Sequence, residues 1–461
     1  MFRKSILGGK VSYYSTNLRA PEVTFREALL TGLAPDGGLY LPDILPALSQ
    51  PFLESLRTST YAGVATEIMG ALLAEEIEKV DLADICYDIY DFSVPVERVF
   101  RNNYVMRLDQ GPTASFKDFA ALLMGRLMQY FLKNENNHIT ILTATSGDTG
   151  GAVANAFHGL ENIKVVILFP AGEVTPLQRK QMTTLHDNIQ SIAINGKFDD
   201  CQSIVKHAFM DKSLADLKLS SANSINIGRL LPQSVYYFWA WSRITSNPNT
   251  RMVFSVPSGN FGDLAGGIIA KKMGLPVSCF VVATNSNNEV PEYLRTGSYK
   301  PVVPSINNIS SAMNVGHPSN LSRIISFYGG IMDETGNIRK SPDLDNMRRD
   351  LYGISVTDGE TIETIRYCYR KYGILLEPHG AVAWHGLRQY LNGQQYSNDH
   401  NSCCVSVETA HPGKFRDDLE KLIGLEVSLP DSLAKIESLK EEYISLENSF
   451  EEFKKYMISN Y

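Results

Sequence analysis

Lys117 stands in GPTASFKDFA (111–120), between a turn of Gly111, Pro112, Thr113 and Ser115 and the apolar run FAALLMGRLMQYFL, with Phe116 and Phe119 on either side. A lysine at the mouth of a buried helix either carries its ammonium to water, as most lysines do, or sits in a dry place. In the dry place burial lowers its pKa and leaves an amine usable for Schiff-base chemistry. Two glycine loops offer chemistry of another kind. SGDTGG (146–151) follows the strand-like run ITILTAT, GNFGD (259–263) follows MVFSVPS, and each precedes a helical pattern. A glycine turn at a helix start lets backbone N–H groups converge at the positive helix end, which suits phosphate or carboxylate. Neither loop is GxxxxGKS or a complete GxGxxG, so nucleotide binding is poorly supported. An amine and an anion loop together suit an aldehyde cofactor bearing a phosphate, and pyridoxal phosphate is that cofactor.

The elements that must position these residues read as α/β. ITILTAT, KVVILFP (164–170), IQSIAIN, MVFSVPS, VSCFVVATN and CCVSVET are short β-branched runs separated by helical patterns. Such runs indicate parallel sheets covered on both faces. TPLQRKQM opens with a threonine and a proline, a helix-start signal. APDGGLYLP reads as a turn feeding a short strand, and 50–92 as mostly helical. The C-terminal SLAKIESLKEEYISLENSFEEFKKYMISNY reads as one solvated peripheral helix. We expect three parts: an N-terminal segment (1–100), a small α/β domain with Lys117 and the SGDTG loop (101–225), and a large cofactor domain (226–461).

With 461 residues, 44% hydrophobic and 20% charged, the chain has a globular composition, and its net charge of −7 points to neither nucleic acid nor an anionic membrane. Six cysteines show no CxxC spacing, and Cys403 and Cys404 would face opposite sides of a strand. Reduced thiols, no metal and a cytoplasmic setting are expected. The opening MFRKSILGGK has three basic residues but no long apolar segment, and no run is long enough to span a membrane.

GPTASFKDFA, TATSGDTGGAVANAF, SANSINIGRLLPQ, VPSGNFGDLAGG and ETAHPGKF, in that order, resemble threonine synthase of the long bacterial and fungal form. YYSTNLRAPEVTFREALLTGLAPDGGLYLP, NVGHPSNLSRI (314–324) and EPHGAVAW (377–384) fit the same family, so the resemblance runs from about Tyr13 to about residue 425. It implies a fold-type II pyridoxal-phosphate enzyme: two open, mostly parallel sheets with helices on both faces, plus an N-terminal α/β segment. The implied reaction turns O-phospho-L-homoserine and water into L-threonine and phosphate, in a monomer or weak homodimer. By the family pattern Lys117 forms the Schiff base. Gly259, Asn260, Phe261 and Asp263 hold the cofactor phosphate, with Gly262 needed for the turn. Thr409 meets the pyridine nitrogen, and a hydroxyl there should leave that nitrogen largely neutral. Ser146, Gly147, Asp148, Thr149 and Gly150 match the loop that receives the substrate's α-carboxylate.

Two positions depart from the pattern: Ser115 where an apolar residue is expected, and Gly413 where alanine is usual. For the substrate phosphate, SANSINIGR offers Asn223, Asn226 and Arg229, with Asn226 and Arg229 at i and i+3; a capping or surface-paired arginine is the alternative. His411 is either a second proton carrier or a structural residue at a strand end. The rivals are another lyase of the same fold (a serine or threonine deaminase, a cysteine synthase or a threonine-synthase-like phospho-lyase), a non-catalytic phosphate-ligand binder, and a nucleotide binder. A second anion pocket near Lys117 separates the synthase from the deaminases.

Overall fold

The structure, a computed structural model, describes residues 11–73, 76–133, 138–248, 250–393, 402–424 and 426–461; the basic opening MFRKSILGGK lies outside them. Near the N-terminus β1 (Tyr13–Ser15) and β2 (Tyr40–Pro42) form an antiparallel pair. The expected helical stretch follows as Gln50–Ser55, Tyr61–Leu73 and Lys79–Ile89. Next come β3 (Val96–Phe100), β4 (Asn103–Arg107), β5 (Ile139–Ala144), β6 (Ile163–Pro170), β7 (Ile189–Asn195) and β8 (Leu219–Ser220). The second half holds β9 (Met252–Pro257), β10 (Val277–Thr284), the small pair β11 (Ile331–Met332) and β12 (Ile338–Lys340), β13 (Leu351–Ser355), β14 (Cys403–Glu408) and β15 (Ile444–Glu447).

Two sheets carry the molecule. One has the order β13-β10-β9-β14-β4-β3, parallel except for β3 at its edge. The other is β15-β7-β6-β5-β8 and wholly parallel. Period-two alternation makes both faces apolar. Cys403, Val405 and Val407 join the main core, whereas Cys404 joins a second cluster with Trp384 and Leu387. The six cysteines are buried, and none is in a disulfide. The predicted helix start at Thr175 is present, with Pro176 in the first turn and a Thr175–Gln178 capping box.

The sheets do not follow the expected boundaries at 100 and 225. β4, counted with the small domain, pairs with β14 in the six-stranded sheet. β15, counted with the large domain, pairs with β7 in the five-stranded one. The C-terminal tail is therefore not one solvated helix: it comprises a short helix Asp431–Ala434, strand β15 and the helix Phe450–Asn460. Ile444, Leu446, Phe453 and Met457 pack on the outer face of the five-stranded sheet. Flanking charges hide so short an apolar alternation in the sequence.

Parallel strands bring their C-terminal ends to one edge, and ligands bind at such edges. The chain leaving β4 leads to Lys117, β5 leads to 146–148, β9 leads to 259–263 and β14 leads to Thr409. No helix among the described residues is long and apolar enough to cross a membrane.

Candidate active site

Lys117 is the first residue of the helix Lys117–Leu132, and its side chain is only 14% exposed. Its Nζ lies 3.4 Å from Asp148 Oδ2 and 4.8 Å from the centre of the Phe116 ring. Burial lowers its pKa; Asp148 opposes that shift, and the charges of Lys414 and Arg229 reinforce it. The preceding loop is held on several sides. Thr113 donates from N (2.9 Å) and Oγ1 (2.5 Å) to the two oxygens of Asp118, whose carboxyl burial pushes up to about 6. Phe116 N donates to Thr409 O (2.8 Å) and His411 N to Ala114 O (3.0 Å), so the lysine loop lies along the chain leaving β14. Ala114 is left-handed at φ 55°, a conformation that the surrounding bonds must hold.

In the loop after β5, Thr145 Oγ1 accepts from Gly147 N and Gly150 N, both at 2.9 Å. Gly147 has φ 136°, and a Cβ there would come within 2.6 Å of the Gln178 amide. Asp148 lies between Lys414 (2.6 Å), Lys117 (3.4 Å) and Gln178 Nε2 (3.0 Å). Burial would push its carboxyl up, but the two lysines overcome this and hold it far below the usual carboxylate range. Ser146 is exposed and Thr149 half-buried, on the open side of the loop.

The loop after β9 is a matter of close fit. A Cβ on Gly259 would meet Met313 Cα at 2.8 Å and Ala312 O at 2.9 Å. Phe261 is left-handed (φ 62°) and leads into the helix Gly262–Lys272. Asn260 donates to Ser224 Oγ (2.5 Å) and accepts from Ser319 N (2.7 Å). Burial pushes the Asp263 carboxyl up to about 7. Asn320 Nδ2, buried and without a hydrogen-bond partner, lies 3.7 Å from the position of a Gly262 Cβ.

Thr409 Oγ1 is 3.4 Å from Glu377 Oε1. Glu377 is fully buried and also accepts from Gly380 N (2.9 Å) and His379 N (2.7 Å). His379 Nδ1 lies 2.5 Å from Glu377 Oε2, and its Nε2 accepts from Ala312 N (3.0 Å), which puts the ring hydrogen on Nδ1. A carboxylate thus stands directly behind the hydroxyl, a feature that EPHGAVAW carried without assigning it a task. Burial and the nearby Glu377 charge push Glu408 well up.

The residues of SANSINIGR separate. Asn226 caps the short helix Ile227–Leu230: its Oδ1 accepts from Gly228 N (2.8 Å), and Nδ2 donates to Leu29 O and Ser221 O (both 2.9 Å). Its amide is consumed by backbone, and as a cap it does not share a helical face with Arg229. Asn223 Nδ2 donates to Ala144 O (3.0 Å) at the end of β5. Arg229 is buried, not surface-paired. Nη1 donates to Ala222 O (2.6 Å), Nε has no partner, and burial lowers the guanidinium to about 10.

Lys414, Ser224 and Arg323, like Glu377, carry no role that the sequence assigned. Arg323 is buried and donates to Ser224 O (2.9 Å), Ile225 O (2.6 Å) and Asn320 Oδ1 (2.7 Å), tying that segment to the loop after β9. His411 caps the turn Pro412–Phe415: its Nδ1 accepts from Gly413 N (3.0 Å). Gly413 has little room for the usual alanine, since a Cβ would lie 3.0 Å from Leu429 and 3.1 Å from His411 Nδ1. Among the described residues no His, Cys, Asp and Glu group could hold a metal ion.

Comparison with known proteins points to one family. Residues 95–407 match the family "Pyridoxal-phosphate dependent enzyme", 12–90 match "Threonine synthase N terminus" and 381–457 match "Threonine synthase, C-terminal". Threonine synthase of Haemophilus influenzae is 39% identical over 447 residues, 96% of this chain and 99% of the relative. The crystal structure of pyridoxal-phosphate-bound threonine synthase from Brucella melitensis superposes with a TM-score of 0.89 at 35% identity, over 97% of this chain and 99% of that one. Threonine synthase from yeast does so with 0.88 at 31% identity, over 97% and 98%.

Proposed function

The chain belongs to the threonine synthase family, and from that premise we propose how its own residues divide the work. It is a pyridoxal-phosphate enzyme that converts O-phospho-L-homoserine and water to L-threonine and phosphate. The residues fit the cofactor. Lys117 offers a buried amine, and the loop 259–263 brings a helix start and the orphan donor of Asn320 to one place. Thr409 offers a hydroxyl on the chain alongside the lysine loop. When bound, pyridoxal phosphate supplies an electron sink for charge developing along the substrate's carbon chain.

Lys117 would hold the cofactor through its amine, and that amine when free would take the proton from Cα and carry protons between the substrate carbons. Gly259, Asn260, Phe261 and Asp263 would hold the cofactor phosphate, and Thr409, its hydroxyl 3.4 Å from Glu377, would meet the ring nitrogen. Ser146, Gly147 and Thr149 receive the α-carboxylate, while Asp148 is engaged by lysines and orients Lys117. Arg229 faces the ester phosphate and stabilises it as it leaves Cγ; Asn226 holds the segment that carries Arg229. Burial of Lys117 and Arg229 keeps water away from the reacting carbons.

The observation that carries the substrate assignment is Arg229, a buried guanidinium with an unpartnered Nε whose charge acts on Lys117. A deaminase of serine or threonine has no ester phosphate for it to meet. The test is turnover of O-phosphohomoserine with threonine and phosphate measured together. Equal yields support the reading, and faster turnover of serine would reject it. Arg229→Met should raise the KM for O-phosphohomoserine about 10- to 100-fold, the worth of a lost hydrogen bond to a charged group. Six buried thiols outside any disulfide support a cytoplasmic setting.

A further inference from the structure

Lys414 holds neither cofactor nor substrate in that scheme, yet its side chain has no exposed surface and its Nζ lies 2.6 Å from Asp148 Oδ1. It also donates to Thr113 O at 3.2 Å, inside the loop that leads to Lys117. The other oxygen of Asp148 is 3.4 Å from Lys117 Nζ, so one carboxylate is shared by two buried amines.

We propose that Lys414 is a positioning residue for Lys117: by neutralising Asp148 it lets that carboxylate orient the Lys117 amine without fixing it as an ammonium ion. This rests on Lys117 being the cofactor lysine. The argument is charge balance in a dry site. A lone buried carboxylate beside a lysine favours the charged lysine. An ammonium has no lone pair, so it can neither attack an aldehyde nor accept a proton from Cα. With Lys414 present, Asp148 and Lys414 already sum to zero. A neutral Lys117 then leaves a closed pair, whereas a protonated one leaves a net buried positive charge, which is costly. The pair also persists when Lys117 is covalently engaged, so Asp148 never becomes an orphan anion.

The other charged groups facing Lys117 do not replace Lys414. Arg229 pushes the same way but pairs with no carboxylate. Asp263 opposes it, with a carboxyl already pushed up to about 7 by burial. Asp118, on the same helix, is occupied by Thr113. Lys414 also spans the two sheets, since it follows β14 while Asp148 follows β5.

The experiment measures the pKa of Lys117 from the pH dependence of pyridoxal phosphate capture by the cofactor-stripped enzyme, followed by visible absorbance. Lys414→Met should raise that pKa by about one unit or more and slow capture near pH 7.5 about tenfold. Lys414→Met with Asp148→Asn should bring the pKa back towards the parent value, which a merely structural role for Lys414 does not predict. Asp148→Asn alone should lower it, because Lys414 then faces Lys117 uncompensated; this variant decides the matter if Lys414→Met does not fold. A parent-like pKa in both single variants, or a double variant shifted as far as Lys414→Met, would overturn the proposal. Borohydride reduction of the parent holoenzyme and peptide mapping separates the two levels. A label away from Lys117 rejects the site reading, and a label on Lys117 with an unmoved pKa rejects the role of Lys414 alone.

Discussion

The loops at 145–151 and 258–263 each follow a parallel strand and open a helix, but they hold their shape by different forces. The first is built from side chains: Thr145 gathers two amides, Gln178 closes over Gly147, and Asp148 is tied to two lysines. The second is built from backbone fit: Gly259 is pressed against the backbone of Ala312 and Met313, and Phe261 takes a left-handed turn. Its one acid, Asp263, is pushed up to about 7 by burial. A loop that orients a reacting amine needs charges of fixed sign, whereas a loop that cradles a phosphate needs converging N–H groups and little negative charge.

The largest effect should come from the residue that the charged loop serves. Lys117→Ala should abolish the covalent cofactor and lower kcat about a thousandfold or more, read from threonine and phosphate release. An unchanged visible spectrum in that variant would break the whole comparison. Next comes the backbone-fitted loop. Gly259→Ala sets a Cβ against atoms that cannot move aside, so cofactor affinity should fall about 10- to 100-fold, measured by fluorescence titration. Gly147→Ala meets a flexible amide rather than backbone but must hold a φ of 136°. Denaturant unfolding should show a loss of about 1–3 kcal/mol, with cofactor affinity nearly unchanged. If the two glycine variants behaved alike, the contrast between the loops would fail.

The smallest effect concerns pH. Below about 7 Asp263 is protonated and neutral; above it, a carboxylate stands at the phosphate loop. Cofactor affinity in the parent should therefore weaken as pH rises through about 7, and Asp263→Asn should flatten that slope. Equilibrium dialysis between pH 6 and 8 checks both.

Much of this machinery is legible along the chain because it depends on near neighbours. Strand runs, the Thr175 cap, the turn before Lys117 and the two glycine loops are local patterns of period, capping and backbone freedom. The apolar alternation of Ile444 and Leu446 is equally local, but it spans too few residues among charges to be read as a strand. The motif ETAHPGKF contains Lys414, yet nothing within eight residues reveals what its amine meets.

By itself, then, the sequence determined the alternation of elements, the lysine at a helix start and the two glycine loops, since each follows from residues close in the chain. Only the tertiary structure decided that β4 joins the large sheet and β15 the small one, that Asn226 is spent on backbone, and that Arg229 keeps a free donor. It also decided that Glu377 backs Thr409 and that Lys414 reaches Thr113 across 301 positions of chain. The reason is that strand order, not spacing, sets which loops meet at a sheet edge, and a charge acts on whatever lies within a few ångströms of it.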